Sequence, residues 1–216
     1  SNVCAGQSIA LSDGTPGGTW RSSIPAEATA GSSSGVVTGI TSGTVVISYT
    51  LGTTGCTSVL AVVVNPISPI LGTPTVCAGQ TTTLTDTTLG GTWSSSAPAT
   101  ATVSGGGIVS GISPGTSVIS YVLGTGCAAS VTITVNSIPP AIGGPSAVCV
   151  GQSITETEAT GGGVWGTSDP SVATVSGSGL VTGLSAGTAT VSYTLPSTGC
   201  PATKTITVNG LPGSIS

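Results

Sequence analysis

The chain has 216 residues and a net charge of −4, and charged residues make up 4% of it against about 25% in a typical soluble domain. There is no His, no Lys/Arg cluster and no apolar run near the roughly 20 residues that span a bilayer, which speaks against His-based catalysis, nucleic-acid binding and membrane insertion of this segment. Sparse charge with abundant Val, Ile, Thr, Ser and Gly argues against both disorder and helix, and six cysteines without metal-type spacing imply disulfides in an oxidising compartment, extracellular or at the cell surface.

In chain order, the first element is "VCAGQSIALSDGTPGGTW", which carries Cys4 and closes on Trp20. A strand is expected over 44–51, "TVVISYTL", with Val45, Ile47, Tyr49 and Leu51 on one face and Thr44, Val46, Ser48 and Thr50 on the other. Cys56 follows, and then a final strand whose inward column is Val62 and Val64. The Pro-rich linker "NPISPILGTP" comes next and should be extended and fairly stiff. The whole pattern then returns twice, as "VCAGQTTTLTDTTLGGTW" and "VCVGQSITETEATGGGVW". Every Cys, Trp and Tyr falls in a repeating column: Cys4, Cys77 and Cys149; Cys56, Cys127 and Cys200; Trp20, Trp93 and Trp165; Tyr49, Tyr121 and Tyr193. The expected units are 1–65, 66–136 and 137–209, the latter two including their linkers, with 210–216 starting a further linker. The chain reads as a mature or excised segment, and joining its end to its start would regenerate a linker, as in one block of a longer array.

A unit of this size buries too small a core to be robust alone, and a disulfide closing a loop of about 50 residues adds roughly 4 kcal/mol by the chain-entropy account. The pairing expected is within units: Cys4–Cys56, Cys77–Cys127 and Cys149–Cys200. The rival pairing of neighbours, Cys56–Cys77 and Cys127–Cys149, is set aside because a strand of about 30 Å separates Cys56 from the linker, whereas disulfide Cα atoms lie within about 7 Å. First and last strands running parallel are expected to put both cysteines of a unit at one end.

The segments "GTWRSSIPAEATA", "GTWSSSAPATATVSGGGIVSGISPGTSVISY" and "GVWGTSDPSVATVSGSGLVTGLSAGTATVSY" resemble bacterial immunoglobulin-like domains of group 2, in the Cys-containing form of large secreted Bacteroidetes-type surface proteins. The resemblance covers nearly the whole chain. It implies an all-β fold of three tandem Ig-like β-sandwich domains in an elongated array, in a surface or secreted protein that serves as stalk, adhesin module or spacer. Tyr49 precedes Cys56 by seven residues rather than two, so the bridge is not expected to be the antibody-type link between sheets.

No residue set points to an active site, a cofactor or a metal. Asp13, Asp86 and Glu158 form a column before the Gly-x-Trp segment; the two Asp read as turn formers, and calcium between domains would need six to eight oxygen ligands where one acid recurs per unit. Glu156 and Glu158 share a strand face and could pair as acid and base, and Lys204 reads as a strand-end lysine with a buried stem. The three Trp read as core signature rather than a sugar platform. "Asp86-Thr87-Thr88" resembles a short O-glycosylation motif, with Thr87 as acceptor. The function expected is a non-catalytic module of an extracellular filament or cell-surface stalk, packing end to end and laterally. Its partners would be further copies of the repeat, with surface glycans possible. The alternatives are a carbohydrate-binding adhesin module or a spacer within a larger secreted enzyme.

Overall fold

The computed structural model describes residues 1–213 and contains six sheets, two to each repeat. Residues 214–216, the end of the expected further linker, lie outside the described residues. The first unit holds β1 (Asn2–Cys4), β2 (Ser8–Ala10), β3 (Gly18–Ser22), β4 (Ala28–Ala30), β5 (Val36–Gly39), β6 (Gly43–Leu51) and β7 (Thr57–Asn65). The second adds β8 (Leu71–Gly72), drawn from the linker, and then β9 (Thr75–Cys77), β10 (Thr81–Thr85), β11 (Gly91–Ser95), β12 (Ala101–Val103), β13 (Ile108–Gly111), β14 (Gly115–Leu123) and β15 (Ala128–Asn136). The third holds β16 (Ala147–Cys149), β17 (Ser153–Thr155), β18 (Val164–Thr167), β19 (Ala173–Val175), β20 (Leu180–Gly183), β21 (Gly187–Thr194) and β22 (Pro201–Asn209).

One sheet of each unit runs β1-β7-β6-β3, β9-β15-β14-β11 or β16-β22-β21-β18, and the facing sheets are β2-β5-β4, β12-β13-β10-β8 and β17-β20-β19. The first strand pairs parallel with the last, so β1 lies on β7 with Cys4 opposite Asn65. Alternation drives the packing: Val45 and Ile47 of β6 are buried while Thr44 and Val46 point out. With Val3, Ala28, Val37, Val62 and Val64 they form the first core, and the same columns form the second and third.

The Gly-x-Trp segment has a physical reason. Trp20 is the cross-strand partner of Tyr49, with ring centroids 4.6 Å apart, and the equivalent pairs sit at 4.8 and 4.9 Å. The Tyr49 ring lies over Gly18, where a Cβ would collide with it; Gly91 and Gly163 lie equally under Tyr121 and Tyr193. Each of these glycines donates its N–H to the tyrosine hydroxyl, at 2.7 to 2.9 Å. The buried phenol is thereby satisfied, as a buried polar group must be.

Candidate functional site

The cysteines of one unit sit at opposite poles. Cys4 ends β1 level with Asn65, where the chain leaves the unit. Cys56 precedes β7, whose nine residues carry the chain across the unit, roughly 30 Å at strand rise. The expected pairing within units is therefore corrected: β1 and β7 are parallel, but the second cysteine lies at the start of β7, not at its end. The same distance that excluded Cys56–Cys77 also excludes Cys4–Cys56.

The bridges instead cross between units. Cys4 pairs with Cys127 at a Cα separation of 5.6 Å, and Cys77 with Cys200 at 5.7 Å, each spanning 123 residues of sequence. Cys56 and Cys149, both expected in disulfides, are free and exposed. Each bridge joins the exit pole of one unit to the entry pole of the next, and neither links the two sheets of a single unit.

Local sequence sets both halves of this latch. After the first cysteine, "Cys-x-Gly-Gln" closes a turn in which the Gln7 N–H donates to Cys4 O at 2.9 Å while Gly6 takes φ +79°. Gln80 and Gln152 repeat the bond at 3.0 Å. Before the second cysteine, a Thr-Gly step turns the hairpin between the two long strands, with Gly126 at φ +87° and the Leu123 N–H donating to Cys127 O at 2.8 Å. The hairpin tip thus holds a cysteine out toward the preceding unit.

Apolar contacts surround the bridge. At the first joint Tyr121, Leu123 and Cys127 are buried together with Cys4, Ile67 and Ile70, the two isoleucines coming from the linker. At the second, Ile142 of the linker is buried with Tyr193 and Ala202. The linkers also pair with the unit they enter: Leu71 and Gly72 lie antiparallel to Thr85 and Leu84, and Gly143 bridges Thr157. The Pro-rich segment is therefore an ordered part of the joint.

Residues 128–206, from the start of β15 into β22, match the family model of the bacterial Ig-like domain (group 2). Among solved structures, the chain is similar to the surface layer protein SbsC, domains 1–6, at 17% identity and TM-score 0.31, with 98% of this chain and 39% of that one covered. It is similar to invasin, described as a bacterial integrin-binding protein, at 12% identity and TM-score 0.41, covering 89% of this chain and 52% of that one. Drosophila N-cadherin EC1-4 aligns at 11% identity and TM-score 0.28, covering 94% and 69%. The chain thus spans about two fifths of the first of these and half of the second. No curated protein matches the chain.

The remaining candidates take the following places. Asp13 and Asp86 each accept a backbone N–H two residues on, from Thr15 at 2.9 Å and Thr88 at 2.7 Å, and Glu158 accepts that of Thr160 at 2.7 Å. This is the side-chain turn expected of the two Asp, and Glu158 makes the same contact. Thr87 is exposed, and its hydroxyl donates to Ser68 Oγ of the linker at 2.8 Å.

Glu156 does not pair with Glu158. It is 1% exposed inside the third core, and Lys204 Nζ donates to its Oε2 at 2.7 Å and to Gly144 O at 2.6 Å. The pair could have been found by reading two columns together: Glu156 replaces Leu84, Lys204 replaces Val131, and both exchanges occur in the same unit.

Proposed function

We propose that this chain is a non-catalytic structural segment of an extracellular filament or cell-surface stalk, in which covalent latches hold successive Ig-like units in fixed relation. The observation that carries this reading is the pair of interleaved bridges, Cys4–Cys127 and Cys77–Cys200. Each joint is crossed by two covalent routes, the linker and the disulfide, and a tensile load divides between them. A bridge within a unit would resist the opening of that unit. A bridge between units instead resists bending and extension at the joint, which is the property a stalk needs.

Other features support the same reading. Disulfides persist in oxidising compartments outside the cytosol. The surface is nearly free of charge and presents β-branched and apolar side chains such as Val46, Val59 and Val63, so contact between copies desolvates little charge. Thr87 stands on an exposed loop beside a joint, where a sugar on its oxygen would replace the hydrogen bond to Ser68 of the linker.

Electron microscopy and small-angle scattering with and without a phosphine reductant test the proposal. The oxidised chain is expected to give stiff beaded rods of uniform joint angle. Reduction should leave each bead intact and broaden the joint angles. Equal flexibility in both states would overturn the reading.

A further inference from the structure

We propose that the outer faces of the three short sheets form one lateral contact surface, and that its occupant is a second copy of this chain packed side by side with the first. The inference rests on the structural reading above and deepens it by naming the partner and the face.

On the central strand of each short sheet, β5, β13 or β20, side chains alternate between core and solvent. Val37, Val109 and Val181 point inward and are fully buried. The outward positions hold Val36 and Ile40, Ile108 and Ile112, and Leu180 and Leu184, all between 38% and 54% exposed. Thr38, Ser110 and Thr182 stand between the members of each pair. Every unit thus turns two large aliphatic side chains to solvent at the same two places. In the second unit β8 widens the face and adds the exposed Leu71. The outward valines of the first long-stranded sheet do not recur in this way: Val59 and Val63 give way to Ser130 and Thr134, then to Thr203 and Thr207.

Burying this face costs little. None of the strands in the three short sheets contains a charged residue. Hydroxyls on the face are satisfied within it: Ser8 Oγ shares a hydrogen bond of 2.8 Å with Thr38 Oγ1, and Ser153 Oγ shares one of 2.8 Å with Thr182 Oγ1. A partner therefore meets aliphatic carbon and paired hydroxyls, with no ion to desolvate.

The second unit identifies the direction of approach. It has a neighbour at both poles, each joined by a linker and a bridge, yet Ile108 and Ile112 remain exposed. Adding units end to end leaves this face open, so what covers it comes from the side. The face repeats once per unit, and both joints are closed by the same bridge. A second copy carries the same repeat and can meet all three faces at once.

Size points the same way. Three strands about 4.8 Å apart, each about four residues of 3.4 Å, make a face of roughly 200 Å² per unit. One unit against one unit buries roughly 400 Å², well below a specific interface, whereas three against three bury roughly 1,200 Å², the lower end of that class. Sheet packed on sheet lets the aliphatic pairs of one copy interdigitate with those of the other.

The test uses the full chain with both internal bridges intact and with Cys56→Ser and Cys149→Ser, so that no thiol links copies. Sedimentation equilibrium should find a reversible dimer. Ile40→Lys, Ile112→Lys and Leu184→Lys each set a charge in the contact and should weaken the dimer roughly tenfold or more. All three together should leave a monomer, while Val59→Lys on the long-stranded sheet should leave the dimer unchanged. Near-ultraviolet circular dichroism of the Trp–Tyr pairs checks that each variant folds. Ser110→Cys in the same background should be joined to Ser110→Cys of the other copy by a short bismaleimide, since the central units meet whether the two chains run parallel or antiparallel. A chain that stays monomeric at every concentration, a triple variant that dimerises as readily as its parent, or a dimer lost in Val59→Lys alone would overturn the inference. A monomer with stiff joints would leave the stalk reading standing, because the scattering experiment reads the joints separately.

Discussion

The second and third units share one backbone plan and differ inside. Where the second packs Leu84 near Val131, the third places Glu156 and Lys204 as a hydrogen-bonded pair. The carboxylate is fully buried and the ammonium side chain 17% exposed, with its second hydrogen bond to Gly144 O of the linker. The apolar version holds the linker by packing and by the pairing of Leu71 and Gly72 with Thr85 and Leu84. The ionic version adds a hydrogen bond from the unit's last strand to the linker, at the cost of burying a charge. Both solutions fit one fold because the two positions face each other across the sandwich, so only a joint exchange is tolerated.

The largest effect should come from breaking that pair. Lys204→Val leaves the Glu156 carboxylate buried without a partner, and the third unit should lose about 3–5 kcal/mol, read by amide exchange along β22 and β17. The double change Glu156→Leu with Lys204→Val converts the third unit to the second unit's solution. It should restore stability to the original value or exceed it by about 1–4 kcal/mol, and a double variant as unstable as the single one would show the two positions are not coupled.

A smaller effect asks whether the units are alike where the comparison says they are. Gly91→Ala and Gly163→Ala each drive a methyl into a tyrosine ring, so both should cost about 1–3 kcal/mol and weaken the Trp–Tyr contact, visible in near-ultraviolet circular dichroism. A loss in one unit only would break the equivalence. The smallest effect is electrostatic. Hydrogen bonds from the Ser171 hydroxyl and backbone hold the exposed Asp169 carboxyl below its ordinary range; the second unit has Ala97 at this position. A lowered folded pKa contributes stability that is full above the unfolded value near pH 4 and fades as pH falls through the folded value. A slight acid sensitivity is expected in the third unit, absent in the second and removed by Asp169→Asn.

Much of the fold is legible in the sequence because its columns are strict. The alternation over 44–51, the Trp and Tyr positions and the parallel closing of first strand on last all follow from residues that repeat. The cysteine pairing does not. Parallel strands say nothing about which end of each strand carries a cysteine, and Cys4 ends β1 whereas Cys56 precedes β7. Six equivalent cysteines in a periodic chain satisfy a bridge within or between units equally well in sequence; only the length of β7 separates the two. The Glu156–Lys204 pair was hidden for another reason: each residue looked like an isolated departure in its own column, and the sandwich alone brings the columns face to face.

The overlap of the two long covalent loops has a consequence for digestion. Cys77 lies inside the loop closed by Cys4 and Cys127, and Cys127 lies inside the loop closed by Cys77 and Cys200. A protease that severs the backbone once, anywhere between Cys4 and Cys200, releases nothing. Two scissions in different segments between neighbouring paired cysteines also leave a single molecule, since every fragment still carries a sulfur bonded to another. Nicked material would therefore survive as intact strands until it met a reducing environment.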